Sequence, residues 1–254
     1  MNNSTWTAIG KVFFALAILS IGIVHLVTHN FPTGLLPVPE DLHFRPVLVY
    51  VSGIGLILSG LLILSNKFMN AGAWLAFAIW LIFLLALHLP LLVQTFKKPD
   101  DWTPFFENAM LLCGAMILVD VSRTAKKGNL KFTAIARYLF AAAMIVFAVL
   151  HFIYAGFIAT LITSWIPFKL FWAYFAGAAF LAVAVSIIIR QLVHTSTIVL
   201  GIMFLLWFFI LHLPLVMAQI HTEPEWTSMF VVLASSGEAF LIAGSTAIKQ
   251  LKRR

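Results

Sequence analysis

Charge is what this sequence has least of: Asp, Glu, Lys and Arg make up 10% of its 254 residues, where a soluble domain carries about 25%. That scarcity excludes a water-soluble globule. Cysteine occurs once, as Cys113, which excludes an intrachain disulfide, a dithiol relay and a thiolate-held metal cluster. A Gly-rich phosphate loop between strand and helix is lacking, so nucleotide binding is not expected. What is present in excess is apolar: 62% of residues are hydrophobic, and the mean hydropathy of +1.04 is spread along the whole chain. Most of the chain must lie in lipid or against other lipid-buried chain. A net charge of +7 would suggest nucleic acid as a partner for a soluble protein. Here the basic residues sit between apolar runs and read as topology signals, so the expected partner is the bilayer and not nucleic acid.

Backbone groups in hydrocarbon must be satisfied within their own segment, so unbroken apolar runs of about 20 residues are helices rather than barrel strands. Eight are expected, over 8–29, 47–65, 71–95, 105–122, 135–163, 170–189, 196–219 and 229–247. The first is too long for a signal-peptide core, lacks a small-residue cleavage site, and is expected to be retained. Pro32, Pro37, Pro39 and Pro46 keep the first connection non-helical, and Arg123 to Lys131 is the most polar stretch, at the chain's midpoint. Lys11, Lys67, Arg123, Lys126, Lys127, Lys131, Arg137, Arg190 and the C-terminal Lys249, Lys252, Arg253 and Arg254 fall on one side, while only Arg45, Lys97, Lys98 and Lys169 fall on the other, with Glu40, Asp41, Asp100, Asp101, Glu107, Glu223 and Glu225. Positively charged short loops stay cytoplasmic, which predicts both termini inside.

The halves carry the same landmarks in the same order. His25 ends the first span as His151 ends the fifth; Leu87-His88-Leu89-Pro90-Leu91 recurs as Leu211-His212-Leu213-Pro214-Leu215; Trp102-Thr103 recurs as Trp226-Thr227. Asn108-Ala109 to Gly114 matches Glu238-Ala239 to Gly244 if the second copy carries a short insertion after its Trp. An internal duplication is the economical account. Units with an even number of spans face the same way, so the expectation is an all-α membrane protein of two fused, parallel-repeat four-helix bundles, 1–125 and 126–254.

This four-span unit, with its His near the outer end of the first span, His-Leu-Pro in the third, Trp in the following loop and Asn-Ala-x-Leu-x-x-Gly at the fourth, resembles the DoxX/DoxD-like membrane proteins. The resemblance implies a bacterial or archaeal inner-membrane protein, in a family that includes a subunit of thiosulfate:quinone oxidoreductase. Fold and family alone do not carry a reaction.

His25, His88, His151 and His212 each lie about 17 residues into their runs, roughly 25 Å at 1.5 Å per residue. Ionisable residues at one depth in a bilayer are candidate site residues, against the plain reading of interhelical hydrogen bonds. Pro90 and Pro214 cannot donate to the carbonyls of Ala86 and Ile210, which predicts a bend beside each histidine. Glu238 falls near the middle of the hydrocarbon, where a carboxyl must be neutral, paired with a cationic histidine or facing water. It joins the histidines as a candidate catalytic residue. Glu107 follows Thr103-Pro104, which reads as a cap and a first helical position, and so is placed in the first turn. Trp102 and Trp226 read as interfacial anchors. With Glu107 and Asn108 they form the candidate cofactor-binding set.

Three functions fit these residues. A quinone-interacting or redox subunit needs an apolar slot with a hydrogen-bonding or proton-carrying group at each ring oxygen, which His with nearby Glu or Asn supplies. Lacking a dithiol, it would exchange electrons with a membrane or periplasmic redox partner or a bound cofactor, and haem b held between His25 and His88, or between His151 and His212, is a narrower variant. A small-solute permease would use Glu238 and the bent helices. A non-catalytic scaffold for partner proteins would use neither.

Overall fold

The computed structural model describes residues 3–127 and 131–246. Among them eight helices are long and apolar enough to cross a membrane. They are α1 (Asn3–Thr28), α2 (Arg45–Leu64), α3 (Met69–Thr95), α4 (Trp102–Lys127), α5 (Lys131–Ile153), α6 (Lys169–Ile189), α7 (Val193–Ala218) and α8 (Glu223–Thr246). The C-terminal cations beyond 246 lie outside the described residues. Since the spans alternate, the first and last helices begin and end on one face, called here the near face. Residues 29–44, 96–101, 154–168 and 219–222 connect helices on the far face.

Helices α1 and α8 begin more than a turn before their apolar runs, and two further boundaries differ from the sequence reading. The apolar run over 135–163 is not one span: α5 stops at Ile153, Tyr154 leaves helical geometry, and Ala155–Leu161 forms a separate short helix packed on α6. Hydropathy cannot register such a break, because the residues on both sides are apolar. Helix α4 runs on to Lys127, so a division at 125/126 cuts its last turn rather than a loop.

In α2 the residues Val47, Val51, Ile54, Leu58 and Leu61 are exposed, while Val49, Ser52, Gly53, Leu56, Ser59, Gly60 and Ile63 are buried. The 3.6-residue period is thus used to divide lipid from protein. Helices α4 and α8 are different, with 72% and 78% of their apolar 18-residue stretch buried, and they pack on one another at the centre. The outer helices wrap them in an exchanged arrangement. Helix α1 packs along α8, from the other half, and α5 packs along α4; the α1–α4 and α5–α8 contacts that would close each half on itself are much smaller. The halves are interlocked rather than set side by side.

Small residues make the α1–α8 approach. A Cβ on Gly10 would stand 2.6 Å from the Gly237 carbonyl oxygen, and one on Gly237 would stand 2.7 Å from the Phe14 amide nitrogen and 2.8 Å from the Gly10 carbonyl. In lipid, where helix association depends on close van der Waals packing, this lets the two backbones touch. At the near face, Asp120 of α4 accepts a 2.7 Å hydrogen bond from the Thr133 amide of α5, and Arg137 of α5 donates to Ser245 of α8 at 3.0 Å.

Candidate functional site

Both His-Leu-Pro helices contain a π turn, Leu84–His88 in α3 and Phe208–His212 in α7, each ending on the histidine. Proline removes the N–H that would bond to the carbonyl four residues back. The helix accommodates this by widening: the amide of Leu89 bonds to the Leu84 carbonyl, and that of Leu213 to the Phe208 carbonyl, one residue beyond the α-helical partner. The inserted residue turns the histidine relative to the helix below it, and such turns recur at functional sites. One other local structure recurs at the same offset. Trp102 donates its indole N–H to the Phe96 carbonyl at 3.1 Å, and Trp226 to that of Ile220 at 2.8 Å. Each indole ties the preceding loop to the start of its helix, which commits its single donor.

All four histidines lie toward the far face, about 30 Å along their helices from the near end, but their surroundings differ. His25 is 0% and His88 is 1% exposed, whereas His151 and His212 are half-buried. The His25 Nδ1–H donates to the Ile21 carbonyl at 2.8 Å, and its Nε2 has no partner. Nor has Nε2 of His88, Nε1 of Trp80, Nε of Arg45, or either side-chain polar atom of Asn108, which is 0% exposed. Buried polar groups are normally satisfied. The unpaired atoms of His25, His88, Arg45 and Asn108 lie toward the far face of the first half, with Trp80 about 12 Å deeper on α3, and they are the clearest sign of a site.

Contacts join this set. The Phe31 ring lies edge-on to His25 at 5.6 Å, carries the Arg45 guanidinium at 5.7 Å and meets Phe83 at 6.4 Å; Phe83 in turn meets Trp80 at 5.9 Å. The π turn carrying His88 follows Phe83 directly and packs on α4, which carries Asn108. Gly53 of α2 makes room for His25, since a Cβ there would stand 2.9 Å from the histidine Cβ. Phe31, Leu35, Leu36 and Val38 of the first connection are buried and belong to the core, so residues 31–38 roof the site. The roof is held by the other half: Glu223 at the start of α8 accepts from the amide and hydroxyl of Thr33 at 3.2 and 3.1 Å, and from the hydroxyl of Thr227.

The second half fills the corresponding space with rings. His151 repeats the tie to its own helix, Nδ1 to the Phe147 carbonyl at 2.8 Å, but its ring packs edge-on to Phe180 at 5.1 Å, and Phe180 meets Phe204 and Trp207 at 5.8 and 6.0 Å. Counting 124 residues from the two Trp anchors, Trp80 corresponds to Phe204, Asn108 to Val232 and Glu107 to Val231. His212 keeps an unpaired Nδ1. For a bis-His haem, only the first half buries an unpaired Nε2 on both imidazoles.

The remaining candidates are placed elsewhere. Helix α4 begins at Trp102, with Pro104 within its first turn where no N–H bond is lost. Glu107 therefore lies beyond that first turn, half-buried and beside Asn108, and not at the dipole position. Glu238 does not occupy the position of Asn108. Helix α8 is continuous from Glu223 to Thr246, leaving no insertion after its Trp. Asn108 is thus about 9 Å along its helix from Trp102, while Glu238 is about 18 Å from Trp226. Glu238 is 0% exposed and neither carboxyl oxygen has a partner. It is carried by α8, which packs on α4, and no histidine bonds it. Trp80, Arg45 and Glu223 were missed from sequence; a Trp buried in an apolar run, an Arg beside a helix-starting Pro and an acid before a Trp anchor carry no signal until the roof is folded over them.

Among the described residues no group of three His, Cys, Asp or Glu side chains is placed to hold a metal ion. The chain matches no family model, no curated protein and no solved structure.

Proposed function

We propose that this integral membrane protein binds an amphiphilic ring of the quinone class at the far-face end of its first half, as a subunit of a redox system. The observation that carries the reading is that His25, His88, Trp80 and Asn108 are buried with unpaired polar atoms in the half whose core includes Phe31, Leu35, Leu36 and Phe83. An apolar lining with a few convergent polar atoms suits a flat ring with an oxygen at either end. The order of the motifs, which resembles the DoxX-like proteins, favours the same assignment. On this reading the termini face the cytoplasm of a bacterial or archaeal cell, as the Lys and Arg distribution implies, and the site opens toward a membrane or periplasmic redox partner.

Organic extraction of protein purified in mild detergent, followed by titration of stripped protein with duroquinone and duroquinol, tests the assignment. Binding of either ring that is weakened at least about tenfold by Asn108→Val supports it; absence of binding by both rejects it. A reduced-minus-oxidised visible spectrum tests the haem variant, which requires a Soret change lost in His88→Ala. Glu238 favours a second reading, a proton-linked permease, because an unpaired carboxyl at the centre of the bundle is otherwise costly. Flux lost in Glu238→Gln with ring binding intact would favour the permease.

A further inference from the structure

The unpaired atoms of the site are not chemically equivalent, and their donor and acceptor roles are set by the protein. A carbonyl oxygen can only accept, so the 2.8 Å contact between His25 Nδ1 and the Ile21 carbonyl places the imidazole proton on Nδ1. The neutral ring has one such proton. Its Nε2 is therefore a bare lone pair, fully buried and without a partner. Trp80 Nε1 and Arg45 Nε can only donate, and Asn108 can do both. His25 consequently asks its ligand for a hydrogen-bond donor and Trp80 and Arg45 ask for acceptors, while Asn108, and His88 Nε2 according to its tautomer, can meet either.

An oxidised quinone has two carbonyl oxygens and no donor, so it would leave His25 Nε2 facing a like acceptor. A quinol has a hydroxyl on each side of its ring. One can donate to His25 Nε2 while the oxygen of the other accepts from Asn108 or Trp80. Resting on the quinone-class reading above, we propose that the site selects the reduced, hydroxyl-bearing form of the ring, and that His25, held in one tautomer by Ile21, is the residue that discriminates. A buried polar group left unpaired by the wrong ligand weakens binding by about tenfold or more.

The test is calorimetric titration of the full-length protein in detergent, under argon, with three probes of one shape: duroquinol, duroquinone and the dimethyl ether of duroquinol, which keeps the ring oxygens but has no donor. The expected result is that duroquinol binds at least about tenfold more tightly than both others, and that His25→Phe removes this preference. Equal affinities, or tighter binding of duroquinone, would overturn the inference while leaving a quinone-class site in place. Failure of all three probes to bind would reject the site reading itself. The comparison in the unaltered protein decides the matter even where His25→Phe does not fold.

Discussion

The seam between α1 and α8 makes the most exposed quantitative claim of the fold, because it holds the two halves together by a contact each half lacks on its own. Replacing Gly237 by Ala would place a methyl carbon 2.7 Å from the Phe14 amide nitrogen and 2.8 Å from the Gly10 carbonyl oxygen. Both are backbone atoms, which cannot swing aside as a side-chain end could. Ordinary contact is about 3.5 Å, so the helices must part by roughly 0.7 Å, a gap that forfeits between about a quarter and a half of each facing dispersion contact. With the overpacking itself, a loss of about 1–3 kcal/mol is expected, which for a chain of this size lowers the melting temperature by roughly 3–10 °C. Gly34→Ala and Gly156→Ala are the controls: nothing stands within 4 Å of a Cβ at either, so both should melt within about 1–2 °C of the parent. Thermal unfolding in one detergent, followed by near-ultraviolet circular dichroism, measures all three. A Gly237→Ala protein as stable as the controls would refute the seam, and with it the exchanged packing of the halves.

Asn108→Val copies the second half's Val232 and removes two unpaired buried polar atoms, so it should raise the melting temperature by a few degrees while weakening ring binding; a fall in both would show that Asn108 is satisfied within the fold. Pro90→Ala returns an N–H to α3 and lets the π turn revert to α-helix, which would rotate His88 by about 100° away from the site; ring binding should fall at least tenfold with helical content unchanged by circular dichroism. Glu223→Ala frees the roof from α8, so amide exchange should rise over residues 31–38 and not over residues 154–168, and equal protection in both proteins would remove Glu223 as the tie. Glu238→Leu should stabilise the protein by about 1–3 kcal/mol if the carboxyl is structurally idle, read as a higher melting temperature; a destabilised variant would show that a partner holds the acid.

The eight spans were legible because hydropathy counts residues that lipid or core will accept, and the period of exposure in α2 then separates the two uses. Hydropathy says nothing of partners. The stripe on α1 is equally suited to α4 or to α8, and what selects α8 is a match of two glycines, Gly10 and Gly237, whose facing depends on both helices being in place. The π turns were half visible: Pro90 and Pro214 announced a disturbed helix beside each histidine, but whether a helix bends or widens depends on the packing around it. The pairing of Asn108 with Glu238 misled because short runs of Ala, Leu and Gly recur in any apolar helix, while the Trp anchors, each with a committed hydrogen bond, fixed a different register. Glu223 was legible only as an acid in a loop, since its partner Thr33 is 190 positions away.

The asymmetry between the halves bears on what the molecule is for. If the histidines served only to bridge helices, both halves should satisfy them alike, and the cheaper arrangement would be the one the second half shows, with a ring packed on the imidazole and an apolar residue in place of Asn108. Instead the first half buries both of its histidines, each with an unpaired Nε2, and sets the unpaired Asn108 on the adjoining helix, whereas His151 and His212 are only half-buried. Each such atom costs about 1–3 kcal/mol when left unmet, and a core of Phe, Leu and Ala nearby shows that apolar substitutes fit this fold. The same half has a connection folded inward over the set, while Phe157, Leu161, Trp165 and Phe168 of the other half's connection remain exposed. Cost, enclosure and a tie from the opposite half coincide at one place, and a ligand that meets those atoms would account for all three together, whereas interhelical bridging accounts for none of them.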